Sequence, residues 1–137
     1  MPFRVVYYHI IWATKYRDAL ITPQIEPVIF SAIRQKSRKL DSHIHAINGM
    51  SDHIHIAVSI STSISVASWV KSVKGSSSYA ANNTFPDLTE KFAWQNGYGV
   101  LTFGAKALSN VVDYIDKQKS HHEEETLIDY LEKLSDE

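Results

Sequence analysis

Apolar residues recur along the chain with two periods, and these periods predict its secondary structure. Residues 3–14 alternate with a period of two and are rich in Val, Ile, Tyr and Trp, which is typical of a strand. Val66, Trp69, Val70 and Val73 repeat instead at helical spacing. The same criteria predict, in chain order, a strand over 3–14, a helix over 22–40, strands over 44–47 and 53–60, a helix over 66–80, a strand over 98–103 and a helix over about 106–120.

The order of these elements predicts an α+β fold. Strand, helix, strand, strand, helix, strand, helix is the order of a ferredoxin-like (RRM-like) antiparallel sheet with helices on one face and an extra C-terminal helix, here placed at about 124–134. We expect one domain over 1–137, with Asn48-Gly49 as a turn signal between the two middle strands. The second sheet face is expected to stay open for a ligand or a partner chain.

Composition limits the possible classes of protein. With 44% hydrophobic residues among 137, the chain can form a core without covalent staples. It contains no cysteine, so disulfides and thiolate zinc sites are excluded. The N-terminal segment does not resemble a signal peptide, and no apolar stretch is long enough to span a bilayer. We therefore expect a cytoplasmic protein that does not enter a membrane.

Charge is distributed unevenly along the chain. The net charge of -1 is lower than a phosphate-binding protein usually carries. Between Arg4 and Lys74, however, nine basic residues stand against four acidic ones, and the acids dominate after Pro86. A basic body can bind a phosphate backbone locally even where the net charge is slightly negative.

A histidine pair in the second middle strand is the first candidate for chemistry. Alternation sends Ile54 and Ile56 toward the core and His53 and His55 together toward the other face, where two imidazoles can reach one divalent ion. His53 and His55 could equally be polar residues on a half-exposed strand. A second pair with the same spacing, His43 and His45, shows that spacing alone does not identify ligands. The pair at 53 and 55 differs in its sequence context, because an acidic residue precedes it and the strand that contains it is strongly apolar.

A tyrosine and a glutamine on the last predicted helix supply the missing groups. Tyr114 and Gln118 are four residues apart and share a helix face. An amide oxygen and two imidazoles form a three-ligand site with open positions, which suits Mg²⁺ or Mn²⁺ bridged through a phosphate, and a tyrosine oxygen beside it could attack phosphorus. Taken alone, Tyr114 is better interpreted as an aromatic residue at the edge of the sheet, and Gln118 as a solvated helix residue. His121, one turn further on, could compete as a ligand or act as an acid–base group.

Several stretches together resemble a known family. Residues 52–56 (DHIHI) are similar to the His-hydrophobe-His core of HUH endonucleases, and residues 114–118 (YIDKQ) to the nucleophile helix of the single-tyrosine transposases of small bacterial and archaeal insertion sequences, the IS200-like family. Further similar segments occur in the same order along nearly the whole chain: 8–12 (YHIIW), 15–17 (KYR), 49–51 (GMS), 74–77 (KGSS), Trp94 and 97–98 (GY).

The resemblance implies a function and a site. It implies a homodimeric transposase that binds single-stranded DNA hairpins at the ends of a mobile element and cleaves and rejoins DNA through a 5′-phosphotyrosine link. Tyr114 would be the nucleophile, and His53, His55 and Gln118 would hold Mg²⁺ or Mn²⁺. The active site could be assembled between two chains, with the helix from about Lys106 to Gln118 as the mobile element.

DNA contacts and alternative functions remain open. Basic residues near the open face or in family-like segments are candidates for phosphate contacts, namely Lys15, Arg17, Lys71 and Lys74. Tyr7, Tyr16 and Trp94 could stack on unpaired bases, although core aromatics are as good an interpretation. A domesticated relative that processes genomic repeats, a single-strand nucleic-acid-binding module without catalysis, and a phosphodiesterase that uses activated water are the alternatives.

Overall fold

The computed structural model describes residues 5–120, which form four strands and three helices. In chain order these are β1 (Tyr7–Ala13), α1 (Ile25–Lys39), β2 (His43–Gly49), β3 (His53–Ser59), α2 (Val66–Thr84), β4 (Gly99–Phe103) and α3 (Leu108–Asp116). Short 3₁₀ turns at Lys15–Arg17 and Ala105–Ala107 follow β1 and precede α3. The element order predicted from the sequence is therefore confirmed within the described residues.

The four strands form one antiparallel sheet in the order β2-β3-β1-β4. In the pairing of the two central strands, Tyr7 is opposite Ser59 and Ala13 is opposite His53. β4 joins the other side of β1, with Tyr7 opposite Phe103. This topology is the predicted ferredoxin-like arrangement, and it places the end of β1 beside the beginning of β3.

One sheet face packs against α1 and α2 and holds the main core. Alternation along the central strands turns Ile10, Trp12, Ile54, Ile56 and Val58 toward the helices, and all five are almost fully buried. Each such apolar side chain contributes roughly 1.5–3 kcal/mol when it is fully buried. The strong period-two pattern of β1 and β3 thus fixes which face of each strand points away from the core.

Two helix starts are stabilised by side-chain oxygens near the predicted positions. The Thr22 hydroxyl accepts a hydrogen bond from the Ile25 amide at 3.2 Å, so α1 begins after Thr22-Pro23 as the sequence indicates. The Ser65 hydroxyl accepts from the Ser68 amide at 3.0 Å and caps α2. α2 then runs to Thr84, four residues beyond its predicted end.

The second sheet face is not open over its whole width, contrary to the expectation from the sequence. α3 lies against β2 and β3 on this face. Val111 and Ile115 of α3 form a separate small core with Ala46 and Ala57, whose short side chains let the helix approach the sheet closely. α3 therefore covers the part of the face that carries the β3 histidines.

Asn48 and Gly49 do not form the turn between the middle strands; both are the last residues of β2. The turn lies over residues 50–52, closed by a hydrogen bond from the Met50 amide to the His53 carbonyl at 2.9 Å. A Cβ atom at position 49 would collide with the backbone of His53 and Ile54. Glycine is thus required for close packing of two strands.

The last helices differ in extent from those expected. α3 ends at Asp116, and Lys117 (φ -100°, ψ 19°) interrupts the helix before Gln118. The helix predicted at 124–134 and His121 lie outside the described residues. Between residues 5 and 120, no helix combines the length and the apolarity needed to cross a membrane.

Candidate active site at the beginning of β3

His53 and His55 lie side by side on the sheet face that α3 covers. Both point away from the main core, as the alternation of β3 predicts, and their ring centroids are 5.3 Å apart. They are nevertheless buried, with 2% and 0% of their surfaces exposed. Because a buried imidazole needs polar partners, the groups around each ring decide what the pair can do.

Asp52 fixes the orientation of His53. The His53 Nδ1 and an Asp52 carboxylate oxygen are 2.8 Å apart, so Nδ1 donates a hydrogen bond to the carboxylate and Nε2 points away from it. Arg17 pairs with the same carboxylate at 3.2 Å. The hydrogen bond from His53, and then the charges of His53 and Arg17, lower the pKa of Asp52 to about 2 against the effect of burial. Asp52 is therefore ionised at neutral pH.

His9 on β1 fixes the orientation of His55, and the sequence analysis did not identify it. His9 Nε2 and His55 Nδ1 are 2.8 Å apart, and both rings are buried. His55 stands opposite Ile11 in the register, so His9 is its diagonal neighbour two residues away on the same face. The alternation of β1 puts His9 on the face opposite Ile10 and Trp12, but only the register shows which β3 residue it meets.

Tyr114 on α3 and Gln118, two residues after the end of α3, are both buried. The Tyr114 ring lies edge-on to the His55 ring, with centroids 6.0 Å apart, and 4% of the tyrosine is exposed. Gln118 is fully buried after the break at Lys117. The structure thus brings the tyrosine to the histidine pair and buries the glutamine four residues further along the chain.

Polar contacts on both sides of Gln118 attach this segment to the sheet and to α1. The Asn48 amide donates to the Asp116 carbonyl at 3.0 Å and accepts from the Lys119 ammonium at 2.8 Å. Lys119 also pairs with Glu26 at 3.0 Å. Because Asp116 and Lys119 flank Gln118, these contacts hold the end of α3 against β2.

The donor set fits a divalent ion. Within residues 5–120, no group of three His, Cys, Asp or Glu residues could hold a metal, so a third ligand from this part of the chain would be another type of side chain such as the Gln118 amide. Each histidine has its Nδ1 in a hydrogen bond to a buried or half-buried neighbour, which is the arrangement that orients metal-ligating imidazoles in proteins. The chemistry of the site is therefore compatible with two Nε2 ligands and one amide oxygen.

The four basic residues considered for DNA contacts lie in different environments. Lys15 is exposed at the end of β1, and Arg17 pairs with Asp52, so both lie at the His53 end of the sheet. Lys71 is exposed on α2, in the helix layer on the opposite face. The Lys74 ammonium donates to the carbonyls of Gln95 and Gly97 at 2.9 and 2.8 Å, and therefore braces the loop before β4.

Comparisons with known proteins identify the class of this chain. The family model described as "Transposase IS200 like" matches residues 3–118. The transposase for insertion sequence element IS200 of Salmonella typhimurium is 32% identical over 115 residues, covering 81% of this chain and 75% of the relative. The ISDra2 transposase TnpA of Deinococcus radiodurans is 25% identical, covering 81% and 82%. These relatives place the chain among the DNA transposases.

Solved structures agree with this assignment. A chain from Deinococcus radiodurans R1 assigned as a transposase superposes with a TM-score of 0.69 at 25% identity, covering 85% of this chain and 93% of that one. A REP-associated tyrosine transposase bound to a REP hairpin shares the fold, with a TM-score of 0.67 at 16% identity, covering 89% and 71%. Within the class of DNA transposases, the chain belongs to the IS200-like family.

Proposed function

We propose that this IS200-like transposase cleaves and rejoins single-stranded DNA at hairpins, with Tyr114 as the nucleophile and with His53, His55 and Gln118 as ligands of Mg²⁺ or Mn²⁺. The observation that carries the proposal is the packing of the buried Tyr114 ring against His55, 6.0 Å between centroids. A tyrosine used only for packing has no need of two oriented imidazoles beside it. A nucleophile that attacks a metal-bound phosphodiester does.

The chemistry assigns one task to each side chain. The Tyr114 oxygen attacks phosphorus and loses its proton, the bond from phosphorus to the 3′ oxygen breaks, and that oxygen takes up a proton. The products are a 5′-phosphotyrosine and a 3′-OH, and the attack of a 3′-OH on the phosphotyrosine reseals DNA without an external energy source. A divalent ion bound by the histidines would supply Lewis-acid polarisation of the phosphodiester. Asp52 and His9 keep both imidazoles in place throughout.

Hairpin DNA is the substrate that the fold and the basic residues favour. A transposase with the same fold binds a REP hairpin. In the present chain, Lys15 and Arg17 flank the His53 end of the sheet and can place a phosphate backbone there. The ion pair of Arg17 with Asp52 gives this residue a second role, because it links a DNA-facing turn to a metal ligand.

We also propose that the chain acts as a homodimer through the edge of β4. β4 is a terminal strand of the sheet, and Val100 and Leu101 are 43% and 39% exposed on it. An exposed edge strand presents unpaired backbone groups with which a strand of another chain can pair. Each chain already packs α3 on its own histidines, and residues 104–107 between β4 and α3 would decide whether α3 stays there or crosses to the partner.

An adduct assay tests the chemistry. The protein is incubated with labelled single-stranded hairpin DNA and Mg²⁺ or Mn²⁺, and a denaturant-resistant protein–DNA adduct is sought. We expect the adduct with the native chain and its loss in Tyr114→Phe and in the presence of a chelator. Cleavage that persists in Tyr114→Phe would show that the tyrosine mechanism is wrong.

A mixing experiment tests the assembly. Tyr114→Phe and His55→Ala chains, each inactive alone, are combined and allowed to exchange subunits. If α3 serves the partner's histidines, mixed dimers regain cleavage, because one of their two sites is intact. If α3 serves its own chain, the mixture stays inactive. A monomeric mass by light scattering at assay concentration would contradict the dimer itself.

A further inference from the structure

The turn after β1 presents an aromatic ring to solvent at a conformational cost. Tyr16 is 79% exposed, and both Tyr16 and Arg17 have left-handed backbones, with φ of 57° and 56°. Residues with a side chain rarely adopt this region, and strained backbones of this kind cluster at functional sites. The turn is held by a hydrogen bond from the Thr14 hydroxyl to the Asp18 carbonyl at 2.6 Å. The fold thus maintains an unfavourable conformation that keeps Tyr16 out of the core.

The exposed ring forms one wall of a groove of about 610 Å³. The groove is lined by Lys15, Tyr16, Ala93, Trp94, Gln95 and Asn96. Its floor is rigid, because the Lys15 amide donates to the Ala93 carbonyl at 3.0 Å and the Gln95 amide donates to the Ala13 carbonyl at 2.9 Å. The volume is in the range of sites that bind small organic groups.

The two aromatic residues of the groove have different roles. Trp94 is fixed by its indole N–H, which donates to the Ser77 hydroxyl at 2.9 Å, and by edge-on contact with Trp12. It is a half-buried part of the framework. Tyr16 has most of its ring accessible, and the Lys15 ammonium lies 5.4 Å from the ring centroid. The ring on which a ligand can stack is therefore that of Tyr16.

The groove lies next to the candidate active site. Arg17, the residue after Tyr16, pairs with Asp52, which is bonded to His53. The Thr14 amide donates to the Asp52 carbonyl at 2.9 Å, and Ala13 stands opposite His53 in the sheet. A DNA strand that approaches the histidines from this end of the sheet would therefore pass the groove.

We propose that this groove binds one unpaired nucleotide of the single-stranded DNA next to the cleaved bond, with its base stacked on Tyr16 and its phosphate at Lys15. The chemistry of the lining matches the three parts of a nucleotide: an ammonium for the phosphate, an aromatic face for the base, and the amides of Gln95 and Asn96 for the base edge. The inference rests on the proposed function, since it takes single-stranded DNA as the substrate.

Binding measurements with a matched control test the groove. The probe is a fluorescein-labelled stem–loop oligonucleotide with a single-stranded flank, titrated in the presence of a chelator so that no cleavage occurs. We expect Tyr16→Ala to weaken binding about ten-fold, as the loss of one base–aromatic stack does, and Tyr16→Phe to bind as the native chain does. The control is Tyr79→Ala, since Tyr79 is 72% exposed on α2 in the opposite layer and should have no effect.

Stability provides a second, independent readout. Because glycine adopts a positive φ without strain, Tyr16→Gly should unfold at a higher temperature than Tyr16→Ala while it binds the probe equally weakly. Native-like binding by Tyr16→Ala, or an equal loss in Tyr79→Ala, would overturn the groove assignment. The Tyr114 adduct on the same flanked oligonucleotide separates the two proposals. An adduct together with native-like binding by Tyr16→Ala rejects the groove alone, whereas no adduct with the native chain rejects the proposed function.

Discussion

Two histidine pairs with the same spacing stand on neighbouring strands of one sheet and differ in almost everything except the spacing. His53 and His55 on β3 are both buried beneath α3. Of the pair on β2, His43 is exposed and His45 is half-buried. The register shifts between Ile44 and Ala46, which makes His45 the extra residue of a bulge. The ring centroids of this pair are 4.6 Å apart, closer than those of the β3 pair.

The partners of the two pairs differ as much as their burial. On β3, a carboxylate orients one ring and a buried imidazole orients the other. On β2, His45 bonds to the hydroxyl of Ser59 at 2.8 Å and lies beside the Tyr7 ring. Burial, and then the charge of His43, lower the pKa of His45. Proximity of two imidazoles therefore does not make a ligand pair; their orientation by fixed neighbours and the approach of other reactive groups do.

The largest expected effect is the difference in Mn²⁺ affinity between a variant without the β3 histidines and one without the β2 histidines. We expect a His53→Ala, His55→Ala double variant to lose Mn²⁺ affinity by more than the roughly 100-fold that loss of an orienting neighbour can cause, because it removes ligands themselves. The matched His43→Ala, His45→Ala variant should bind Mn²⁺ as the native chain does. Calorimetric titration or Mn²⁺ electron paramagnetic resonance measures both. Comparable losses in the two variants would contradict the distinction between the pairs.

The sequence contained part of the basis for this distinction. Asp52 is adjacent to His53 in the chain, so the sequence alone distinguished the β3 pair from the β2 pair. In the structure, this acidic residue makes the Asp52–His53 hydrogen bond. His9 is 46 residues from His55, and their contact depends on strand register. Periodicity assigns His9 to one face of its strand, but it does not give the register between two strands. Residues that act through long-range contacts are thus the ones that local patterns miss.

The fold was predictable where the apolar pattern was strong and not where small residues decide the packing. β1 and β3 alternate clearly, and the core face of β3 was predicted correctly. The position of α3 over the sheet depends on Ala46 and Ala57, which give a weak hydrophobic signal although they create the surface for Val111 and Ile115. Gly49 was interpreted as a turn residue because of its neighbour Asn48, whereas it serves the close approach of two strands.

Substituting Asp52 or His9, which orient the β3 histidines, should lower Mn²⁺ affinity less than removing the histidines themselves. We expect Asp52→Asn and His9→Gln each to weaken Mn²⁺ binding roughly 10- to 100-fold, because each replaces the partner of an imidazole by a neutral amide that orients the ring less firmly. Ser59→Ala removes the corresponding partner of His45 and should leave Mn²⁺ binding unchanged. A thermal unfolding scan of each variant checks that the fold is intact. Native affinity in both Asp52→Asn and His9→Gln would show that the two hydrogen bonds serve the fold alone.

The smallest expected effect concerns the pH dependence of stability, and it belongs to the β2 pair. The pKa of His45 is lower in the folded chain than its ordinary value of 6.5, first because of burial and second because of His43. The unfolded chain therefore binds a proton at this residue more readily than the folded chain does. Neutral His45 contributes its full share of stability above pH 6.5, and that share is lost as the pH falls through the folded-state pKa.

Urea unfolding at pH 7.5 and pH 5.5, with a chelator present, measures this contribution. The free energy of unfolding should fall more between these pH values in the native chain than in His45→Asn, which has no imidazole to protonate at this position. His9, His53 and His55 occur in both proteins, so the difference between the two chains isolates His45. In His43→Gln the decrease should be smaller than in the native chain, because the second cause of the lowered pKa is gone. Equal decreases in all three chains would mean that the β2 pair takes up no proton linked to folding in this range.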